Sequence, residues 1–399
     1  MKKPHIAFIS FPHHPHVNPT LPIASVVARR GFKVSFATSD RFADRANDVG
    51  TDVVAIPKFQ IDTLDDEVES GNRLHPPICQ LAVRTLAPLI HAYKDDKPDL
   101  IIYDLLAFAG RILACKWNIP AIQTSPTFAH IREKWSEQVT NPSFRASLAE
   151  ISRRANLFFE RHGVIGGDFI FHRERLNIYL FPRALQPFVN FVDDRCFYAG
   201  RCAAEQPYFG DWKCPTANNR PIALVATSTT YIQGAEFFKM CIDAFSGLGW
   251  HVIMSIGDSG DAASLLPLPP HFEIVKNTSH IRILPHVDLQ VCLGGIITSA
   301  EAAYHGVPLV VLSHGFPELE WQADNLERLG VGVHVRKADT NSKTLREVIN
   351  RTANDLEMRR KVKRLQHETH REPGSEDTAN RIEQYINSAN GSDGLHDVK

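Results

Sequence analysis

Residues 5–38, HIAFISFPHHPHVNPTLPIASVVARRGFKVSFAT, decide the fold. HIAFISF (5–11) is a short apolar run with turn residues after it, which reads as a strand buried on both faces. PHHPHV (12–17) reads as a loop. Asn18 and Pro19 then suit the start of a helix, asparagine as N-cap and proline in the first helical position. The helix stops near Arg30 at Gly31, and KVSFAT (33–38) is a second strand. A strand, a helix and a strand in such short order make a parallel unit with the helix on one face.

The same rhythm continues outward. Ser39 caps a helix that ends near Gly50, and DVVAIP is a third strand. A helix around 77–94, the strand DLIIYD (99–104), a helix near 106–116 and the strand AIQTS follow. Residues 126–175 lose the alternation and read as helices added to the sheet. NIYLF and CFYAG are further strands, and the Pro, Gly and Asn residues of 200–220 suit a linker. A second strand–helix series then begins at PIALVATS. It continues through HVIMSIG, FEIVKN, LQVCL and PLVVLS, with helices from Thr298 to His305 and near 320–329, 342–352 and 375–388. The expected fold class is α/β, with two Rossmann-like parallel-sheet domains facing a central cleft. Residues 1–205 are the N-terminal domain, 206–388 the C-terminal domain and 389–399 a disordered tail.

Bulk properties narrow the function. The chain has 399 residues, 43% hydrophobic and 22% charged, and a net charge of −1. That length asks for more than one core, and the charge gives no reason to expect nucleic acid or an anionic membrane as partner. No run approaches the roughly 20 apolar residues of a membrane span, and MKKPHIAFISF lacks the long apolar stretch and cleavage site of a signal peptide. The seven cysteines are scattered without metal-ligand or disulfide spacing. They read as reduced thiols of a cytoplasmic protein with no metal. The basic run RRKVKR (359–364) reads as a solvated helix face.

Two constellations carry chemistry. The loop after the first strand holds His13, His14 and His16, at the end of the sheet where α/β proteins bind ligands. Histidine is the natural general base near neutral pH. Its second ring nitrogen needs an acceptor, and Asp104, at the end of another strand of that sheet, can supply one. Surface histidines and a helix-capping aspartate would also explain the pattern. The second constellation is LQVCL followed by Gly294, Gly295, Ile296, Ile297, Thr298, Ser299 and Glu301. The glycines allow close backbone approach. The helix start offers free N–H groups and hydroxyls to phosphate, and Glu301 could accept from ribose hydroxyls. An ordinary capped helix is the plain alternative. His314, at a strand end before Gly315 and Glu318, is a candidate sugar or phosphate contact. His280 is either a base contact or a solvated loop histidine. His286, His305 and Trp321 read as structural, and Trp135 with its aromatic neighbours as either packing or an acceptor pocket.

Together these segments resemble the macrolide-type, family 1 glycosyltransferases. Residues 5–38 look like that family's opening. LPHVDLQVCLGGIITSAEAAYHGVPLVVL and QADNLERLGVGVHV look like its donor-binding segment, and order and spacing agree over 5–388 except in the middle, about 60–90 and 126–170. The resemblance implies a GT-B fold and an inverting O-glycosyltransferase. Such an enzyme uses a UDP- or dTDP-sugar as co-substrate, has no obligatory metal, and acts on an apolar small molecule such as a polyketide in antibiotic biosynthesis. It makes His16 the general base and Asp104 its partner. The backbone of Ile297, Thr298 and Ser299 would meet the diphosphate. Thr229 would face it too, Glu301 would hold the ribose, and Glu318 would sit near the sugar hydroxyls.

The sequence also departs from the family pattern. Leu293 stands where a histidine that touches the diphosphate is usual, and Ile297 where glycine or asparagine is usual. Asn277, Thr278, Ser279 and His280 replace the Trp-x-Pro-Gln segment that stacks on the base. Leu319 replaces the glutamine of the hexose-binding pair, and Pro15 precedes the catalytic histidine in place of glycine. Losing a hydrogen bond to a charged group costs roughly 1.5–3 kcal/mol. The alternatives are therefore an auxiliary GT-B protein with a degenerate donor site, serving a partner protein or forming a homodimer, and another sugar-nucleotide chemistry such as epimerisation or hydrolysis.

Overall fold

The computed structural model describes residues 3–59, 75–164, 168–202, 212–214, 220–227, 233–257, 262–276 and 280–391. The chain forms two compact units, 1–203 with 372–399, and 204–371. The first contains β1 (His5–Ile9), α1 (His14–Val17), α2 (Leu21–Arg29), β2 (Lys33–Thr38), α3 (Asp40–Asp48), β3 (Asp52–Ala55), α4 (His75–Ala92), β4 (Leu100–Asp104) and α5 (Phe108–Trp117). It continues with β5 (Ala121–Ser125), α6 (Trp135–Gln138), α7 (Pro142–Arg161), β6 (Asn177–Tyr179) and β7 (Cys196–Tyr198). The strands pair in the order β3-β2-β1-β4-β5-β6-β7, all parallel.

β1 shows why the sheet is buried on both sides. Successive side chains point to opposite faces, and every residue of HIAFI is buried. Ile6 and Phe8 join the core beneath α2, while Ala7 and Ile9 join the core that includes Leu89, Tyr103 and Leu113. On that second face α5 comes so close that a Cβ at Gly110 would lie 2.5 Å from Cβ of Tyr103. No larger residue fits there, and the close approach fixes the end of β4.

The second unit contains β8 (Ile222–Ala226), α8 (Ala235–Phe245), β9 (His251–Ser255), β10 (Phe272–Val275), α9 (His280–Ile283), β11 (Leu289–Cys292) and α10 (Ile296–His305). After these come β12 (Leu309–Leu312), α11 (Pro317–Leu329), β13 (Gly332–Val335), α12 (Ser342–Asn354) and α13 (Leu356–Thr369). Its parallel sheet runs β10-β9-β8-β11-β12-β13. In α13, Met358, Val362 and Leu365 are buried, and the basic residues between them are exposed.

Three differences from the sequence reading matter. The turn 14–17 is a one-turn helix, so Asn18 ends α1 and does not cap α2, whose N-cap is Thr20. β13 completes the second sheet by pairing with β12, a strand that the sequence reading omits. The last helix, α14 (Gly374–Gly391), extends past 388 and belongs to the first unit and not the second. Its Ala379, Ile382 and Ile386 are fully buried with Ile23, Val26 and Val27 of α2. Residues 203–211 and 215–219 of the expected linker and 392–399 of the expected tail lie outside the described residues.

Each sheet has a place where the strand order reverses. It falls between β1 and β4 in the first unit and between β8 and β11 in the second. Loops leaving neighbouring strands there run to opposite faces and open a crevice at the carboxyl ends, where open parallel sheets bind ligands.

Candidate active site

The first reversal point brings His16 and Asp104 together. In the sheet Ile9 lies beside Tyr103, so the loop after β1 starts next to the last residue of β4. The loop turns back through α1, with the His16 amide donating to the His13 carbonyl at 3.0 Å. The Thr20 hydroxyl donates to the His16 carbonyl at 2.7 Å. His16 Nδ1 then stands 2.7 Å from Asp104 Oδ2. Asp104 is 2% exposed and His16 13%. The other carboxylate oxygen, Oδ1, accepts from the Leu106 amide at 2.9 Å. An ionised carboxylate only accepts, so Nδ1 carries a proton and Nε2 is the nitrogen left to take one. Phe11 meets the ring edge-on at 5.0 Å between centroids and, with Ile9, Leu81, Leu106 and Phe108, lines a small apolar recess beside the pair. His14 packs against Phe42.

At the second reversal point β11 leads into the glycine turn. Gly294 has φ 89°, and a Cβ there would lie 2.6 Å from Cγ1 of Val311. Gly295 is the N-cap of α10. The amides of Ile296, Ile297 and Thr298 come before the first intrahelical donor and have no carbonyl one turn back. Ile297, Thr298 and Glu301 are half-buried.

Ser299 departs from expectation. Its amide and its hydroxyl both donate to the Gly295 carbonyl, at 2.9 and 3.0 Å, and the residue is 1% exposed. It closes the first helical turn and has no donor left for phosphate. Leu293 is buried in the core with Val291, Leu312 and Leu319. That packing explains why an apolar residue sits there and shows that Leu319 also faces inward. Glu318 is half-buried and accepts from the Gln322 amide. Thr229, Asn277, Thr278 and Ser279 lie outside the described residues. His280 is no solvated loop residue. It opens α9, its Nε2 is 3.0 Å from the Ser255 hydroxyl, and burial holds its pKa down at about 4.

A further array went unnoticed in the sequence. Ser313 Oγ lies 2.8 Å from His334 Nε2, and His334 Nδ1 lies 2.8 Å from Asp324 Oδ1. The order matches a serine–histidine–aspartate relay, but Ser313 is fully buried, so no substrate reaches its oxygen. The array fastens the end of β12 to β13 and α11. Burial pushes the Asp324 carboxyl up, but the bonds from His334 and Arg336 outweigh it and hold the pKa below the usual value. The three residues are far apart in sequence, and no local motif announces them. A second network, Tyr103–Glu174–His172–Arg111, ties β4 and α5 to the loop before β6. Trp135 packs edge-on against His130 and Phe171. Among the described residues no helix is long and apolar enough to cross a membrane, and no group of three acidic, histidine or cysteine side chains is placed to hold a metal.

Comparison with known proteins fits this arrangement. Residues 239–385 match the family described as Erythromycin biosynthesis protein CIII-like, C-terminal domain. The NDP-glycosyltransferase YjiC of Bacillus subtilis is 31% identical over 395 residues, covering 97% of this chain and 98% of that one. The demethyllactenocin mycarosyltransferase of Streptomyces fradiae is 30% identical over 407 residues, covering 96% and 87%. The crystal structure of the glycotransferase of kitacinnamycin superposes with a TM-score of 0.81 at 28% identity, covering 97% of this chain and all of that one. Similarity of this extent in sequence and in fold places the chain in the macrolide-type family 1 glycosyltransferases, sugar-transferring enzymes of the GT-B fold.

Proposed function

We propose that the chain is an inverting O-glycosyltransferase that moves a sugar from a nucleoside diphosphate donor to a hydroxyl of an apolar small molecule of polyketide or macrolide type. The observation that carries this reading is the 2.7 Å bond from His16 Nδ1 to Asp104 Oδ2 at the reversal point of the first sheet. In this reading the acceptor hydroxyl gives its proton to His16 Nε2 as its oxygen forms a bond to the anomeric carbon. The bond from that carbon to the diphosphate oxygen breaks with inversion. The nucleoside diphosphate takes the bonding electrons, and Asp104 stabilises the imidazolium.

On the donor side, the open amides of Ile296, Ile297 and Thr298 offer hydrogen bonds to charge building on the phosphates. Glu301 is the ribose acceptor, and Glu318 and His280 are further donor contacts. Activity is tested with a panel of UDP- and dTDP-sugars and apolar alcohols and phenols, following release of the nucleoside diphosphate. His16→Ala should abolish turnover while its circular dichroism and unfolding midpoint stay close to those of the parent. Normal turnover by that variant would remove the base from His16.

A further inference from the structure

The side chain of Thr20 does not do what its place in the helix suggests. Thr20 is the N-cap of α2, and a threonine there ordinarily turns its oxygen forward to accept from an amide in the first turn of its own helix. Here the side chain makes no such bond, and the residue has helical φ −85° and ψ −30°. Pro22, in that first turn, has no N–H to offer. The hydroxyl instead points back and donates to the His16 carbonyl at 2.7 Å. In a regular helix that carbonyl would receive the amide four residues on, which is that of Thr20. That amide goes to the Val17 carbonyl at 3.0 Å, and the side chain takes over where the backbone turns away.

The bond joins a weak element to a firm one. α1 is a single turn, held by the amides of His16, Val17 and Asn18 on the carbonyls of His13 and His14 at 3.0, 2.9 and 3.0 Å. One turn by itself does not persist in water. Val17 anchors it by apolar burial, which is not directional. α2 is longer, with Leu21, Ile23, Val26 and Val27 in the core, and its Ala24 amide binds the Thr20 carbonyl at 3.0 Å. Thr20 is 4% exposed, so water competes little for its hydroxyl. His16 is consequently fixed at both ends, the ring by Asp104 at 2.7 Å and the peptide by Thr20. His314, the strand-end histidine of the second unit, instead has its ring 5.5 Å from that of Phe237 and its Nε2 enclosed.

We propose that Thr20 is a positioning residue for the base, holding the His16 peptide so that Nδ1 stays on Asp104 and Nε2 stays turned to the acceptor hydroxyl. The inference rests on the reading that His16 is the general base. Thr20 acts through His16 and needs no contact with substrate. A hydrogen bond has a preferred direction, so this one limits rotation of the peptide that carries the ring. Proton transfer and attack need the reacting groups close and aligned, and a displacement of about 1 Å costs about a hundredfold in rate.

Thr20→Val keeps the shape and removes the donor, Thr20→Ala removes it without a replacing methyl, and Thr20→Ser keeps it. Initial rates of nucleoside diphosphate release are measured for these three, the parent and His16→Ala, with donor and acceptor varied in turn. A proton spectrum of the enzyme alone reads the downfield Nδ1–H resonance expected of a short imidazole–carboxylate bond, with Asp104→Asn to assign it. Thr20→Val and Thr20→Ala should lower kcat about tenfold or more, leave both KM values nearly unchanged, and broaden or erase that resonance. Thr20→Ser should restore rate and resonance. Circular dichroism and the unfolding midpoint should stay close to those of the parent in all three. Parent-like kcat in both Thr20→Val and Thr20→Ala, or a Thr20→Ser enzyme as slow as they are, would overturn the assignment. So would a loss carried by KM alone, or an undisturbed resonance in the slow variants. Normal turnover by His16→Ala would remove the base and this inference with it. An inactive His16→Ala beside fully active Thr20→Val and Thr20→Ala removes Thr20 alone.

Discussion

Replacing Asp104 with asparagine is the sharpest test of the proposed base, because the substitution keeps the shape and removes the charge. The carboxylate and the imidazole are in contact at 2.7 Å and both are sheltered from water. Their charge centres are about 4 Å apart, and at an effective dielectric constant of about 20 the imidazolium is stabilised by about 4 kcal/mol. Spread over the barrier, that is about a thousandfold in rate. Geometry adds to the loss. Asp104 Oδ1 already accepts from the Leu106 amide at 2.9 Å, so an asparagine must put its oxygen there and turn its NH2 toward His16. Nδ1 then becomes the acceptor, the proton moves to Nε2, and the ring can no longer act as base. The expected fall in kcat for Asp104→Asn is on the order of 10²–10⁴, with KM for the donor nearly unchanged. The assay is initial-rate release of nucleoside diphosphate at saturating donor, with circular dichroism to verify the fold. A folded Asp104→Asn enzyme with kcat within about tenfold of the parent would refute the dyad.

Other outcomes follow from particular contacts. Gly294→Ala sets a side chain at φ 89° against the buried Val311 at 2.6 Å and should cost roughly 2–4 kcal/mol in urea unfolding; a change below about 0.5 kcal/mol would count against that packing. Leu293→His puts a polar ring into the core formed with Val291, Leu312 and Leu319. It should lose roughly 1–3 kcal/mol of stability without tightening nucleotide binding, and a gain in UDP or dTDP affinity would contradict the inward orientation. The His280 pKa is about 4 in the folded chain and about 6.5 once unfolded. The unfolded chain therefore takes up a proton that the folded one refuses, and stability falls as the pH drops from about 6.5 to about 4, by at most about 3 kcal/mol. His280→Gln should flatten that slope between pH 7 and 4.5, and an identical slope in both proteins would argue against a His280 held neutral in the folded chain.

The alternation of strands and helices was legible because these strands are buried on both faces and read as plain apolar runs. His16 and Asp104 were legible for a related reason. Each follows or ends such a run, and parallel strands carry their last residues to the same edge. What stayed hidden depended on contacts between distant segments. The short β13, GVHV, has too few residues for a period to show. Ser299 looks like an open N-terminal donor in sequence, and only the back-bond to Gly295 shows that it is spent. The Ser313–His334–Asp324 array joins a strand end, a neighbouring strand and a helix, a meeting set by sheet order and not by spacing. The home of α14 could not be read either, since its apolar stripe of Ala379, Ile382 and Ile386 would suit either sheet.

That last helix has a consequence for how the chain is made. The first unit is built from a segment that precedes the second unit in sequence and a segment that follows it, with the whole second unit in between. Until α14 emerges, Ile23, Val26 and Val27 of α2 lack the side chains that cover them. The second unit is continuous in sequence and can close its core earlier. The nascent chain thus reverses the usual N-terminal-first order of domain folding. The unit carrying His16 and Asp104 is the later one to be completed. A chain cut short before 374 would hold a finished second unit beside an N-terminal half with an uncovered apolar groove, a species prone to aggregate during synthesis.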